Sequence, residues 1–261
     1  MSLPLAAQMY TVREFTKTAK DLAESLQKIG QIGYRAVQMS AVGAMNGETP
    51  EVSAAEGRKM LDDNGLKCIA THRPWEALRD NTEAEIEFHK TIGCDFVALG
   101  GIPREYSGEG QNGYRRFLQD AASVIAKLKA AGIRFGYHNH DAEFEIVNPG
   151  RKTLFDVFID EGGADFNLEI DVFWAVHAGV NPVRLFDRCV GRVPVIHVKD
   201  KAVVPGHGTY MAPVGEGNLD WDGIIPACVA AGVEWYAVEQ DDYLSDPFDC
   251  LRSSYEYLAK F

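Results

Sequence analysis

Short apolar runs rich in β-branched and aromatic residues alternate along the chain with stretches of helical period, at intervals of roughly 30 residues, eight times over. The runs place strands at 5–10, 36–40, 67–71, 96–100, 134–138, 167–171, 193–198 and 235–239. Between them the i, i+3, i+4 spacing predicts helices, most clearly over 18–29, 53–64, 82–92, 114–131, 182–189, 221–231 and 247–260. Gly33, Gly65, Gly93, Gly132 and Gly232 each stand just past a helix and before the next strand, where a left-handed residue ends the helix and turns the chain. Repeated helix–Gly–strand units imply a parallel sheet. Eight of them in 261 residues favour a closed (β/α)8 TIM barrel, one α/β domain over residues 1–261, rather than an open doubly wound sheet. No Gly-x-Gly-x-x-Gly follows the first strand, and no low-complexity linker divides the chain.

Four of the apolar runs break off into residues that bind metals. Tyr137 leads into His138-Asn139-His140, Ile170 into Asp171, Ile196 into His197-Val198-Lys199-Asp200, and Val238 into Glu239-Gln240-Asp241. In a parallel barrel the active site lies where strands end, so His138, Asp171, His197 and Glu239 are expected to converge. Two imidazoles and two carboxylates make a divalent-metal site with positions open to substrate. His138 and His140 are two apart and share the inward face of a strand, as do Glu169 and Asp171. A buried polar layer of this kind is either an internally satisfied network or a ligand set. Lys199 is expected beside the metal with a lowered pKa, suited to stabilising an oxyanion; its plain alternative is an ion pair with Asp200, Glu169 or Asp171.

Composition narrows the partners. A net charge of −12 repels phosphate backbones, which excludes nucleic acid as the expected partner. No basic segment precedes a signal-length apolar stretch, and no run of about 18 apolar residues occurs. The expectation is a cytoplasmic protein with no membrane partner. Five scattered cysteines, without a Cys-x-x-Cys pair, read as reduced thiols rather than a disulfide scaffold or zinc knot. The outward helix faces show no separable apolar stripe, which leaves a homo-oligomer open. Gly206-His207-Gly208 and Gly215-Glu216-Gly217 fall in a long loop after the seventh strand and are candidates for a phosphate cradle.

The segments Gln8-Met9-Tyr10-Thr11-Val12-Arg13, Tyr137-His138-Asn139-His140-Asp141, Ile196-His197-Val198-Lys199-Asp200, Val214-Gly215-Glu216-Gly217 and Val238-Glu239-Gln240-Asp241 together resemble the xylose isomerase-like TIM barrels, the sugar phosphate isomerase/epimerase superfamily. The resemblance covers essentially the whole chain. It implies a metal held by Glu, Asp, His and Glu at the ends of strands five to eight, with two glutamates exchanging a proton through a cis-enediolate. Asp171, His197 and Glu239 match three of those positions. His138 stands where the first glutamate would be, with Glu143 the other candidate for a fourth ligand. An opposite-face base must then be His138, His140, Glu143 or Lys199. Trp174 stands where many relatives have a second His, the nearest here being His177, which argues against a multi-zinc endonuclease site.

The expectation is therefore a divalent-metal-dependent sugar isomerase or epimerase, with a sugar, ketosugar or cyclitol as its small-molecule substrate. The ion is expected to be Mn²⁺, with Co²⁺, Zn²⁺ or Mg²⁺ compatible. Glu239, Glu143, Lys199 and His140 are the catalytic candidates, and His72, Trp75, Arg13 and Trp174 the substrate-binding ones. A lyase or dehydratase acting on a keto-sugar or inosose is the first alternative, and a non-catalytic sugar-binding barrel the second.

Overall fold

Helix starts are written into the chain as caps. The Thr18 and Ser53 hydroxyls accept the backbone N–H of Asp21 and Glu56, whose carboxylates accept the cap N–H in return. These boxes open α1 (Ala19–Ile32) and α2 (Ala54–Asp63). The remaining helices are α3 (Trp75–Asp80), α4 (Thr82–Ile92), α5 (Gln111–Ala130), α6 (Phe155–Glu161), α7 (Val172–His177), α8 (Pro182–Arg188), α9 (Trp221–Ala231) and α10 (Pro247–Leu258). Gly93 and Gly232 close α4 and α9 with φ of 77° and 85°, the left-handed turn expected of them.

The computed structural model describes residues 2–147, 152–206 and 208–261. Its strands are β1 (Leu5–Gln8), β2 (Ala36–Met39), β3 (Lys67–His72), β4 (Phe96–Leu99), β5 (Arg134–His138), β6 (Phe166–Asp171), β7 (Val195–Val198), β8 (Asp200–Val204), β9 (Gly208–Ala212) and β10 (Trp235–Val238). Strands β1 to β7 and β10 close into a parallel barrel, each beside its sequence neighbour, with β10 seated between β7 and β1. Outward-facing residues such as Val97, Phe135, Leu168 and Ile196 pack under the helices in one large core. Inward-facing Ala6, Ala36, Ala70, Phe96, Ala98, Val195 and Ala237 form a second, smaller core inside the barrel. Gly136 is part of that floor by necessity, since a Cβ there would lie 2.4 Å from Cζ of Phe96.

The main departure from the sequence reading is the segment after β7. In place of a long loop, β8 and β9 pair antiparallel as a hairpin from Asp200–Ala212 to Val204–Gly208. Val-Val, then Pro-Gly, then Thr-Tyr-Met is a hairpin pattern, but its strands are short and mix buried with exposed positions. The phosphate cradle is also not supported at Gly215 and Gly217. Their N–H groups donate to Asp200 Oδ2 at 2.9 and 3.2 Å, as does the Trp221 indole at 2.7 Å. His207 lies outside the described residues. No helix among the described residues is long and apolar enough to cross a membrane.

Candidate metal centre

Register delivers the site. β5 and β6 pair with His138 opposite Glu169, and β6 and β7 with Asp171 opposite His197. Two residues beyond the apolar floor, the same inward faces therefore present Gln38, His72, His138, Glu169, His197 and Glu239. Asn139, on the other face of its strand, clamps the backbone of Asp171, accepting its N–H at 3.0 Å. Asp171 Oδ1 then caps α7 by accepting the Trp174 N–H at 3.0 Å, which leaves Oδ2 directed inward.

Glu169 is the hub of the lower part of this layer. Its Oε1 accepts from Gln38 Nε2 at 2.9 Å, and its Oε2 lies 2.5 Å from His72 Nε2 and 3.3 Å from His138 Nδ1. His197 Nε2 faces Gln38 Oε1 at 2.8 Å. Because an amide oxygen only accepts, that nitrogen carries a proton. Above, His197 Nδ1 lies 2.6 Å from Glu239 Oε2 and 3.9 Å from Asp171 Oδ2, and His138 Nε2 lies 3.8 Å from Asp171 Oδ2. Lys199 donates to Asp241 Oδ1 at 2.8 Å and makes ion contacts with Asp171 Oδ2 at 2.9 Å and Glu239 Oε2 at 2.7 Å.

The charges perturb one another strongly. Burial would raise the carboxyl of Glu239, but Lys199 and His197 hold it well below the usual carboxylate range. Glu169 is likewise held low against burial by the imidazoles of His197 and His72. Burial dominates at Asp171, whose carboxyl is raised. It also dominates at His138, pushed well below the ordinary imidazole value with help from His197. His197 is pulled up to about 10 against burial by Glu169 and Glu239. For Lys199 the expected lowering is reversed: Asp171, Glu239 and Asp241 outweigh burial and raise it.

The donor set fits a divalent cation. Asp171 Oδ2, His197 Nδ1 and Glu239 Oε2 are buried and face one another, the two carboxylate oxygens also facing the Lys199 ammonium. Two carboxylates and imidazole nitrogens are the donor types that divalent ions take. Atoms of Asp171, His197 and Glu239 lie within 4.8 Å of one another, a spacing one ion can bridge, and His138 Nε2 approaches from the next strand. Gln38 and Glu169 stand behind the two imidazoles as the hydrogen-bonding partners that fix ring orientation in metal sites.

The other expected residues divide. His140 and Trp174 line the mouth with Tyr10, Lys199 and Asp241, around a cavity of about 460 Å³. His140 packs 4.9 Å from the His138 ring and 5.5 Å from Trp174. His72 reaches the site, lining the same cavity while its Nε2 meets Glu169. Arg13 lies 4.2 Å over the Tyr10 ring and donates to the carbonyls of Tyr10 and Asp241, so it ties the rim together. Two residues stand apart from the cavity. Trp75 is 2% exposed in the helix layer, edge-on to Phe117. Glu143 accepts the Tyr137 hydroxyl at 2.6 Å and the His140 N–H at 2.8 Å, so it braces the strand-five loop. Gln38 escaped the sequence reading, where its one signal was a polar residue at an inward strand position; Glu169 was visible only as a same-face neighbour.

With the closed barrel and its strand-end donors in place, the chain belongs to the xylose isomerase-like TIM barrel family, whose description matches residues 26–260. Its structure is similar to a sugar phosphate isomerase/epimerase from Parabacteroides distasonis, with 22% identity over 98% of each chain and a TM-score of 0.80. It is also similar to the IolI protein with a bound zinc atom (15% identity, 99% of each chain, TM-score 0.73). An L-ribulose 3-epimerase shares the fold as well (15% identity, 99% of this chain and 93% of the other, TM-score 0.72). No curated protein matches the chain by sequence.

Proposed function

We propose that this protein is a divalent-metal-dependent sugar isomerase or epimerase that removes a proton next to a substrate carbonyl. One observation carries the reading: buried Asp171, His197 and Glu239 hold ligand atoms within 4.8 Å of one another, beside a cavity that Glu239 and His138 line. A cation held there supplies Lewis-acid polarisation of the carbonyl and offsets the charge of an enediolate. Mn²⁺ is the expected ion, with Zn²⁺, Co²⁺ and Mg²⁺ compatible with the same N/O set. Glu239, kept ionised, accepts the proton, and the Lys199 ammonium 2.7 Å away stabilises negative charge on the substrate oxygen. His140, half-buried at the opposite wall, returns a proton. The expected relatedness to sugar isomerases and epimerases agrees with this chemistry.

Incubation of the metal-loaded protein with ketoses in deuterium oxide tests the reading: deuterium appears at the carbon next to the carbonyl. No exchange with any sugar or cyclitol would contradict it. A lyase is the second reading, favoured by one feature. Across the mouth from Glu239 the lining residues on β3 and β5 are imidazoles, not a second carboxylate, and an imidazole is a competent acid for a departing oxygen. Release of an unsaturated product in the same experiment identifies that outcome.

A further inference from the structure

We infer that the substrate is a neutral glycoside whose second ring sits in an aromatic cavity beside the metal centre. This rests on the reading of the mouth as a sugar site and adds the substrate class. The cavity, of about 300 Å³, is lined by Phe173, Trp174, Tyr210, Met211, Tyr243 and Leu244, drawn from α7, the β9 strand and the loop after β10. Trp174 lines both this cavity and the metal-site cavity, so the indole is their common wall. Phe173 stands edge-on to it at 5.1 Å. Tyr210 and Tyr243 are half-buried, and Leu244 is 82% exposed, an apolar side chain open to solvent at the cavity edge. Such walls take a flat ring with an apolar face, either a pyranose or an aromatic aglycone, joined to the reacting sugar through its glycosidic oxygen.

The wall is also held in place. Met211 accepts from Gln240 Nε2 through its carbonyl at 3.1 Å and from the Asp241 N–H through its sulfur at 3.2 Å, which ties the hairpin to the β10 loop. Charge argues against a phosphorylated substrate. Glu239, Asp241 and Asp242 line the two cavities, and the single lysine or arginine among their described lining residues is Lys199, already against three carboxylates. The nearby Gly215 and Gly217 N–H groups are consumed by Asp200.

Calorimetric titration of the metal-loaded protein with hexoses, ketohexoses, methyl glycosides, disaccharides, aryl glycosides and hexose phosphates tests the inference. A two-ring ligand is expected to bind at least about tenfold tighter than the matching methyl glycoside, as one stacked ring provides. The advantage disappears in Tyr210→Ala/Tyr243→Ala while methyl glycoside binding stays within about twofold. A gain confined to disaccharides identifies a sugar as the second ring, and one confined to aryl glycosides an aromatic aglycone. Leu244→Asp, at an exposed position that accepts charge, reports the same loss should the tyrosine pair fail to fold. Equal binding of one-ring and two-ring ligands, no binding by any of them, or tightest binding by the phosphates overturns the inference. Metal content and solvent exchange measured on the same preparation show separately whether the metal-enzyme reading stands.

Discussion

The floor and the mouth of the barrel are made by the same eight strands and differ by a single inward step along each. At the floor the inward residues are mostly apolar, Ala6, Ala36, Val195 and Ala237 around Phe96. One step on, those positions become Gln8, Gln38 and Glu239, joined by His72, His138 and His197. The floor contributes packing, whereas the mouth gathers buried charges whose desolvation opposes folding. Stability and chemistry are thus separated along the strand axis, and substitutions one step apart are expected to fail in different assays.

The largest effect is expected in the mouth. Glu239→Gln keeps the fold and lowers turnover by about 10³-fold or more, read as loss of solvent deuterium exchange. Wild-type rates would remove Glu239 as the base. At the floor, Phe96→Ala is expected to cost about 3–5 kcal/mol in denaturant unfolding while the folded fraction keeps its metal stoichiometry. Metal loss without destabilisation there would break the separation. Behind the ligands, Gln38→Ala strips Glu169 Oε1 and His197 Nε2 of their partner and is expected to weaken metal binding about 10–100-fold in chelator competition.

The smallest effect comes from a buried histidine outside the lumen, and it sharpens the contrast. His89 Nδ1 donates to the Glu85 carbonyl and Nε2 accepts the Thr71 hydroxyl, each at 2.6 Å, so the ring is fully satisfied when neutral. Burial lowers its pKa below the ordinary imidazole value. The unfolded chain then takes up a proton more readily than the folded one as pH falls. This contribution to stability is complete above the unfolded imidazole value of about 6.5 and is lost as pH drops toward the folded value. Thermal melts between pH 7 and 5 are expected to show a shallower decline in His89→Gln; an identical decline would mean other groups carry it.

Much of this is legible in the amino-acid sequence. Short continuous apolar runs and helix-ending glycines give all eight barrel strands to within a few residues, because each run is buried on both faces. His138, Asp171, His197 and Glu239 stand out since they interrupt apolar strands at their ends. Glu169 and Gln38 do not, because a single polar residue inside a strand carries no sign of which others share its level in the barrel. That level depends on register. Trp75 and Trp174 look alike in sequence, both just after a strand end, yet one packs against Phe117 and the other faces the cavity. Glu143 lies close enough in sequence to be a ligand, but the Tyr137 hydroxyl on the outer face of β5 claims it.

The central claim is that the polar mouth is a metal centre. It is tested most directly by elemental analysis of protein purified without chelator, wild type beside Asp171→Ala. About one divalent transition metal per chain, lost in the variant, is the predicted result. No metal in the wild type even after reconstitution, or undiminished metal in Asp171→Ala, would contradict it and leave the layer as an internal polar network.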